Sequence, residues 1–207
     1  MLDRIDYQKN EGLEINNLIK NPFDQFKHWF NFAKDQDAFH ANAMALSTIH
    51  NNRPSSRIVL LKELDTTGFT FYTNYNSAKS KEISENKYAS LLFFWKESER
   101  QIRIEGILEK VAESSSDEYF KTRPRESQIG AWASPQSQVI SREELEKRVN
   151  EFSLKFENQA IPRPDYWGGF RLVPEKFEFW QGRAGRLHDR FIYEKKNNHW
   201  DIYRIAP

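Results

Sequence analysis

The densest chemistry in this 207-residue sequence lies between Trp180 and Arg190, where Arg186, His188 and Arg190 alternate with Leu187 and Asp189. On an extended strand the three basic side chains share one face, and Leu187 and Asp189 take the other. Cationic groups aligned this way repel one another in an empty protein. The pattern therefore calls for an anionic or electron-rich partner, or for acids such as Asp189 that neutralise a surface strip. Similar donors recur elsewhere: Arg57 and Lys62 share a predicted strand, and Ser77 and Lys79 open a predicted helix. Arg123, Arg125 and Ser127 follow a helix end, while Gln136 and Ser137 sit in a loop. Each has a plain structural reading when taken singly, since a strand Arg is usually solvated or ion-paired and Ser77 serves as an N-cap. Together, guanidinium, ammonium, hydroxyl and helix N-terminus are the donors that phosphate groups need. Several separate clusters favour discrete phosphate sites over one extended nucleic-acid surface.

Composition narrows the choice. With 31 Lys and Arg against 30 Asp and Glu, the formal net charge is +1, which disfavours duplex nucleic acid as a partner. Cysteine is absent, excluding a disulfide scaffold and thiolate zinc sites. Neither H-E-x-x-H nor any metal-ligand spacing of the five histidines occurs, so no metal is expected. A P-loop and a G-x-S-x-G elbow are missing, and Gly182-Arg183-Ala184-Gly185 lacks the third glycine of a dinucleotide fingerprint. No apolar run approaches the roughly 18 residues of a membrane span, and Met1-Leu2-Asp3-Arg4-Ile5-Asp6 lacks a signal-peptide core. The expectation is a cytoplasmic protein without a membrane partner. Six Trp and sixteen Phe fit a β-rich core that packs rings, or rings lining a pocket for a flat ligand.

The elements that must position these donors are mostly strands. Pro22 sits in the first turn of a helix running to about Asp37, with Phe23, Phe26, Phe30 and Ala33 at helical spacing and Trp29 beside them. Strands are predicted over 57–62 and 69–73, joined by the turn Asp65-Thr66-Thr67-Gly68, and a short helix over 77–85. Further strands fall near 89–95 and 101–110; in the second, Gln101, Arg103 and Glu105 face away from Ile102 and Ile104. Ser115-Ser116-Asp117-Glu118 has the form of a capping box for a helix that Pro124 ends at Arg123. Ser141-Arg142-Glu143-Glu144 is a second box, opening a helix with Leu145, Val149, Phe152 and Phe156 on one stripe. Strands near 169–172, 176–181, 191–194 and 199–204 complete the chain. The fold class is mainly β with flanking helices (α+β), a closed or partly closed barrel. Residues 1–21 read as an N-terminal arm and 22–207 as one domain.

At this point the blocks line up with a known family. Arg57-Ile58-Val59-Leu60-Leu61-Lys62, Phe71-Tyr72-Thr73-Asn74, Arg123-Pro124-Arg125-Glu126-Ser127-Gln128-Ile129-Gly130-Ala131-Trp132, Tyr166-Trp167-Gly168-Gly169-Phe170-Arg171, Phe179-Trp180-Gln181-Gly182, Arg186-Leu187-His188-Asp189-Arg190 and Arg204-Ile205-Ala206-Pro207 together resemble pyridoxamine (pyridoxine) 5′-phosphate oxidase. The resemblance runs in order from about residue 4 to the last residue. It implies a split-barrel homodimer with FMN at the subunit interface and a pyridoxine or pyridoxamine 5′-phosphate stacked on the flavin. It further implies oxidation to pyridoxal 5′-phosphate with O2 as acceptor and H2O2 as product. By the same resemblance FMN is held by Arg57, Ile58, Val59, Leu60, Leu61, Lys62, Tyr72, Thr73, Lys79, Gln101, Gln136, Ser137, Trp180 and Arg190. The substrate phosphate falls to Lys62, Tyr119, Arg123 and Ser127, and Arg186 and His188 act over the pyridine ring as the catalytic pair. Arg4 and Tyr7 keep the spacing of an N-terminal pair that caps the occupied site in relatives, which makes the arm an active-site lid.

Two positions depart from the family pattern. Ala78 stands where the family usually has Arg, removing one cationic contact to the FMN phosphate and implying weaker FMN retention. Arg183 stands where Gly or a neutral residue is common, and the sequence offers no physical account of it. The rival reading is a non-catalytic flavin- or pyridoxal-phosphate-binding protein on the same barrel, which need not keep both Arg186/His188 and the phosphate grip. Oxidases of other aromatic amines are a second rival, which loss of that grip would mark.

Overall fold

The computed structural model describes residues 6, 7 and 12–207. Nine strands form one antiparallel sheet: β1 Ala43–His50, β2 Arg53–Leu60, β3 Glu63–Leu64, β4 Phe69–Asn74, β5 Tyr88–Trp95, β6 Arg100–Lys110, β7 Trp167–Gln181, β8 Asp189–Lys196 and β9 His199–Ile205. The order is β2-β1-β5-β6-β7-β4-β3, with β8 on the far half of β7 and β9 outside it. Beyond β2 the chain crosses to the other end of this row, and the Lys62 amide donates to the Thr70 carbonyl at 2.9 Å. The two ends of the sheet thus meet at a seam, which closes the barrel.

The strand predicted over 57–62 is β2, and it stops at Leu60, so Lys62 lies just past it. The two strands expected at 169–172 and 176–181 are one 15-residue strand. Its first half pairs with β4 and its second with β8, while β6 follows both. Pro174, which argues for a break, sits opposite Gly106 where the register shifts by a bulge, so its missing N–H costs the ladder little. A Cβ on Gly106 would lie 2.1 Å from the Val173 carbonyl oxygen, and only glycine fits there.

Five helices flank the sheet: α1 Pro22–Gln36, α2 Ala78–Glu85, α3 Glu113–Thr122, α4 Arg125–Ala133 and α5 Arg142–Lys155. Asn21 caps α1 by accepting from the Phe23 amide at 2.9 Å, with Pro22 in the first turn. Phe23, Phe26 and Trp29 bury themselves from α1 against Phe69, Phe93, Phe177 and Phe179 of the barrel. A smaller cluster of Phe120, Ile129, Phe156, Ile161 and Trp167 joins α3, α4 and the end of α5 to the start of β7. Most rings therefore fill the core, as β-rich packing requires.

Ser141 caps α5 as its motif predicts, accepting from the Glu144 amide at 3.0 Å. The box at Ser115–Glu118 is not a cap: α3 starts at Glu113 after Ala112, and those residues lie inside it. Pro124 ends α3 and at once stands at the N-cap of α4, a helix the sequence left unread. Among the described residues, no helix is long and apolar enough to cross a membrane.

Candidate active site

The seam holds a cavity of about 630 Å³. Ile58, Val59 and Leu60 of β2 form one wall, and Tyr72, Thr73 and Asn74 of β4 another; Lys79, Tyr119, Arg123, Ser127 and Gln136 reach it from the helices and their loops. Five of the sequence-predicted donors, Lys62, Lys79, Arg123, Ser127 and Gln136, thus converge. They divide into two cationic ends.

At one end the Lys79 ammonium lies 3.1 Å from Thr73 Oγ1, 3.3 Å from Ser77 Oγ and 3.3 Å from Gln136 Oε1. All three partners are neutral, and burial followed by repulsion from Arg57 lowers the Lys79 pKa. The Ala78 amide opens α2 beside it and donates to Ser137 Oγ at 3.2 Å. Ser77 occupies the N-cap position, but its side chain makes no cap bond.

At the other end Tyr72, Tyr119 and Trp167 stack in parallel, with centroids 4.0 Å apart for the two tyrosines and 5.6 Å for Tyr72 and Trp167. The Arg123 guanidinium lies 4.6 Å from the Trp167 ring centroid. Its Nη1 is buried and has no hydrogen-bond partner. Burial lowers the Arg123 pKa, yet Arg stays charged in any ordinary protein setting. A buried, unsatisfied cationic donor costs free energy unless an anion meets it. Lys62 and Ser127 line the same cavity. Arg125 does not serve here, because its guanidinium donates to the Phe156 and Gln159 carbonyls at 2.6 and 3.1 Å, tying α4 to the end of α5.

A second patch forms on the other half of β7. Gln101, Trp180 and Arg190 are successive cross-strand neighbours on β6, β7 and β8, so their side chains share a face. Arg190 Nε donates to Glu178 at 2.8 Å. Tyr7 packs edge-on to Trp180 and His188, with centroids at 5.5 and 5.7 Å; Arg4 lies outside the described residues. The expectation of a strand carrying Arg186, His188 and Arg190 on one face fails. Ala184–Arg186 is a 3₁₀ turn, Gly185 and Arg186 have φ of 64° and 63°, and β8 begins only at Asp189. Of the three, Arg190 alone is in the strand. Arg186 is exposed, and His188 Nδ1 accepts from the Arg183 amide at 3.1 Å. That bond requires an unprotonated Nδ1 and leaves Nε2–H as a donor. Burial, then Arg186, lowers the His188 pKa against the pull of Asp6 and Asp189, which favours the same neutral ring. None of Gln101, Trp180, Arg186, His188 or Arg190 lines the seam cavity.

Residues 32–155 match the family model described as pyridoxamine 5′-phosphate oxidase, and residues 167–207 match the pyridoxine 5′-phosphate oxidase C-terminal dimerisation region. The chain belongs to the pyridoxine/pyridoxamine 5′-phosphate oxidase family. The oxidase of that name from Nostoc punctiforme is 53% identical over 200 residues, covering 95% of this chain and 94% of its own. The one from Paraburkholderia xenovorans is 52% identical over 200 residues, covering 95% and 93%. Among solved structures, PhzG from Burkholderia lata 383, in complex with tetrahydrophenazine-1-carboxylic acid, superposes with a TM-score of 0.87 at 31% identity, covering 93% of this chain and 95% of its own. A pyridoxamine 5′-phosphate oxidase-related, FMN-binding protein from Nostoc punctiforme shares the fold at a TM-score of 0.71 and 16% identity, covering 88% and 97%. The split-barrel fold expected from the sequence is therefore that of its family.

Both departures from the family pattern acquire surroundings. Arg183 Nη1 lies 3.1 Å from Asp189 Oδ2, whose carboxylate also takes Arg204 at 2.5 Å and the Leu13 amide at 2.9 Å. Arg183 thus ties the turn bearing Arg186 to buried Asp189. Ala78 leaves its end of the cavity with Lys79 and, behind it, Arg57. Both terminal nitrogens of the Arg57 guanidinium are engaged within the protein: Nη1 donates to Thr48 Oγ1 at 2.5 Å and the Leu46 carbonyl at 3.3 Å, and Nη2 to Ser55 Oγ at 2.6 Å and Glu82 at 2.7 Å. Glu82 went unnoticed in the sequence, as did the Trp167 ring beneath Arg123. Trp167 lay in a quoted family block and could have been found; an acid on the turn after Lys79 carries no such signal.

Proposed function

We propose that this chain is an FMN-dependent oxidase that converts pyridoxine or pyridoxamine 5′-phosphate to pyridoxal 5′-phosphate. The observation that carries the reading is the buried, partnerless Arg123 Nη1 in a cavity whose opposite end is a second cation, Lys79. Two separated cationic ends suit two phosphorylated ligands, and the donor set fits FMN at one of them. Lys79, Thr73, Gln136 and Ser137 would hold the FMN phosphate, and the β2 wall of Ile58, Val59 and Leu60 would flank the flavin. Lys62, Tyr119, Arg123 and Ser127 would take the substrate phosphate. Burial and the bond to Glu63 raise the Tyr72 pKa, which keeps it a phenol beside that end.

Bound FMN supplies the two-electron acceptor, with O2 the final oxidant and H2O2 its product. The 4′ carbon loses a hydride and the attached oxygen or nitrogen a proton; the alcohol gives the aldehyde directly, and the amine gives it after water releases ammonia. The residues of this chain supply position. Fixing the phosphate at Arg123 orients the ring, an entropic gain. Neutral His188 would donate from Nε2 to the substrate, and Arg186 would stabilise charge at its reacting end. Because these two residues lie away from the seam cavity, the complete site is read as shared between two subunits of a homodimer, with FMN at the interface. The match of residues 167–207 to a dimerisation region supports that reading.

PhzG, with its tetrahydrophenazine-1-carboxylic acid, raises the alternative of a different aromatic substrate. The phosphate grip around Arg123 favours the phosphorylated vitamer. Aerobic incubation of the purified yellow protein with pyridoxine 5′-phosphate should yield aldehyde and peroxide in equal amounts. A colourless protein that FMN cannot reconstitute, or a yellow one that turns over only unphosphorylated amines, would sink the proposal.

A further inference from the structure

Lys79 lines one end of the seam cavity, and the Arg57 guanidinium lies behind it, near enough to depress the Lys79 ammonium. One carboxylate, Glu82, pulls on both, but it is hydrogen-bonded only to Arg57. Glu82, one turn along α2 from Lys79, accepts from Arg57 Nη2 at 2.7 Å and from Thr48 Oγ1 at 2.5 Å, all through Oε2. The pair is well shielded, with 20% of the Arg57 side chain and 12% of that of Glu82 exposed. Thr48 Oγ1 accepts from Arg57 Nη1 in turn, so β1, β2 and α2 close one ring of bonds around the two charges. Arg57 shares its strand face with Val59, which lines the cavity, while its own guanidinium does not. The local count is Lys79 and Arg57 against Glu82, with nothing at Ala78. A phosphomonoester carrying up to two negative charges meets a net single positive charge.

We propose that Glu82 is the counter-charge of the cofactor-phosphate end: it neutralises Arg57 while the site is empty and weakens the hold on phosphate once the site is filled. The inference rests on the reading of Lys79 as the FMN-phosphate end. Without Glu82, Arg57 and Lys79 would repel each other unopposed across β2 and α2, and the flavin-free chain would lose stability. With a phosphate bound, the same carboxylate repels the ligand, and its shielded position limits screening by salt. The chain therefore trades affinity for a stable flavin-free state.

The test is Glu82→Gln in the full-length chain freed of flavin, since Gln keeps the shape and can accept both bonds through its own oxygen. Flavin fluorescence quenching gives the Kd for FMN and, separately, for riboflavin, which lacks the phosphate; thermal unfolding is followed without flavin. The expected result is an FMN Kd about 3–10-fold lower than wild type, an unchanged riboflavin Kd, and a lower melting temperature for the flavin-free variant. An FMN Kd that stays the same or rises overturns the proposal, as does an equal gain for riboflavin, which would point to pocket shape. Glu82→Ala removes the same charge and carries the same expectation should the Gln variant not fold. Failure of the wild-type chain to bind either flavin would instead overturn the FMN reading, and this inference with it.

Discussion

Arg123 shows how a single residue can announce a ligand. Its guanidinium rests over Trp167, which satisfies the flat face of the cation but gives buried Nη1 nothing to donate to. Hydrogen bonds to a charged group contribute about 1.5–3 kcal/mol, so Arg123→Met should lower kcat/KM for pyridoxine 5′-phosphate by about 10–150-fold. Most of that loss should appear in KM, since a phosphate that takes no part in the bond changes is held equally in ground and transition states. FMN content should not change if, as proposed, Lys79 and its partners hold the FMN phosphate. Steady-state kinetics with a flavin spectrum on the same sample decide it; loss of flavin with KM intact would reassign Arg123 to the cofactor. Lys79 presents the contrasting case, a cation whose own hydrogen bonds all go to neutral oxygens and which is therefore open to an anion without being orphaned.

At the scale of elements, the turn between β7 and β8 is the piece the sequence pattern misstates and Asp189 repairs. Period-two alternation over Arg186, His188 and Arg190 reads as strand, but Gly185 and Arg186 adopt left-handed backbone that ends the alternation. Asp189 then gathers Arg183, Arg204 and the Leu13 amide, binding the turn, the C-terminal strand and the N-terminal segment at one buried carboxylate. Burial raises its pKa, but the Leu13 amide, Arg204 and Arg183 together lower it below the ordinary 3.8. A depressed carboxylate contributes stability that is fully present above pH 3.8 and is lost as pH falls through the lower folded value. Asp189→Asn should therefore cost about 1–3 kcal/mol at neutral pH, less than a fully buried pair because both Arg partners are partly exposed. The gap to wild type should close in acid; denaturant melts across pH check it, and a gap that persists there would show that shape, not charge, holds the turn. Local signals served best where structure is local: Pro22 and Ser141 mark their helices, and Asp65 closes its turn by accepting from the Thr67 and Gly68 amides at 2.7 and 3.0 Å. Pro124 ends α3 as its position implies and also opens α4, and Pro174 rides on a bulge set by a distant Gly106. The donor types of the cavity, Lys62, Lys79, Arg123, Ser127 and Gln136, were singled out in the sequence before the fold brought them together. The division of the site residues into two patches was not legible there, because it depends on which strands lie side by side.

For the whole molecule the decisive fact is that β7 serves both patches with different halves. Trp167, at its start, lies against the seam cavity; Trp180, near its end, belongs with Gln101, Arg190, His188 and Tyr7. One chain does not bring these groups into a single pocket, whereas a two-fold dimer would set the seam of one subunit against the second patch of its partner and make two equivalent sites. Complementation tests this directly. Arg123→Met disables the seam and Arg186→Leu the second patch, so a heterodimer of the two variants carries one site with both substitutions and one with neither. Co-expressed and randomly assorted, the pair should regain roughly a quarter of wild-type activity at substrate well below the wild-type KM, because half of the dimers are mixed and each has one intact site of two. Each variant alone should stay near its own low level, with the dimer mass verified by light scattering. If the catalytic groups instead came from one chain, mixing would yield only the average of the two variants. That outcome would require the turn of Ala184–Arg186 to swing onto its own seam, and it would remove the reason for a shared interface.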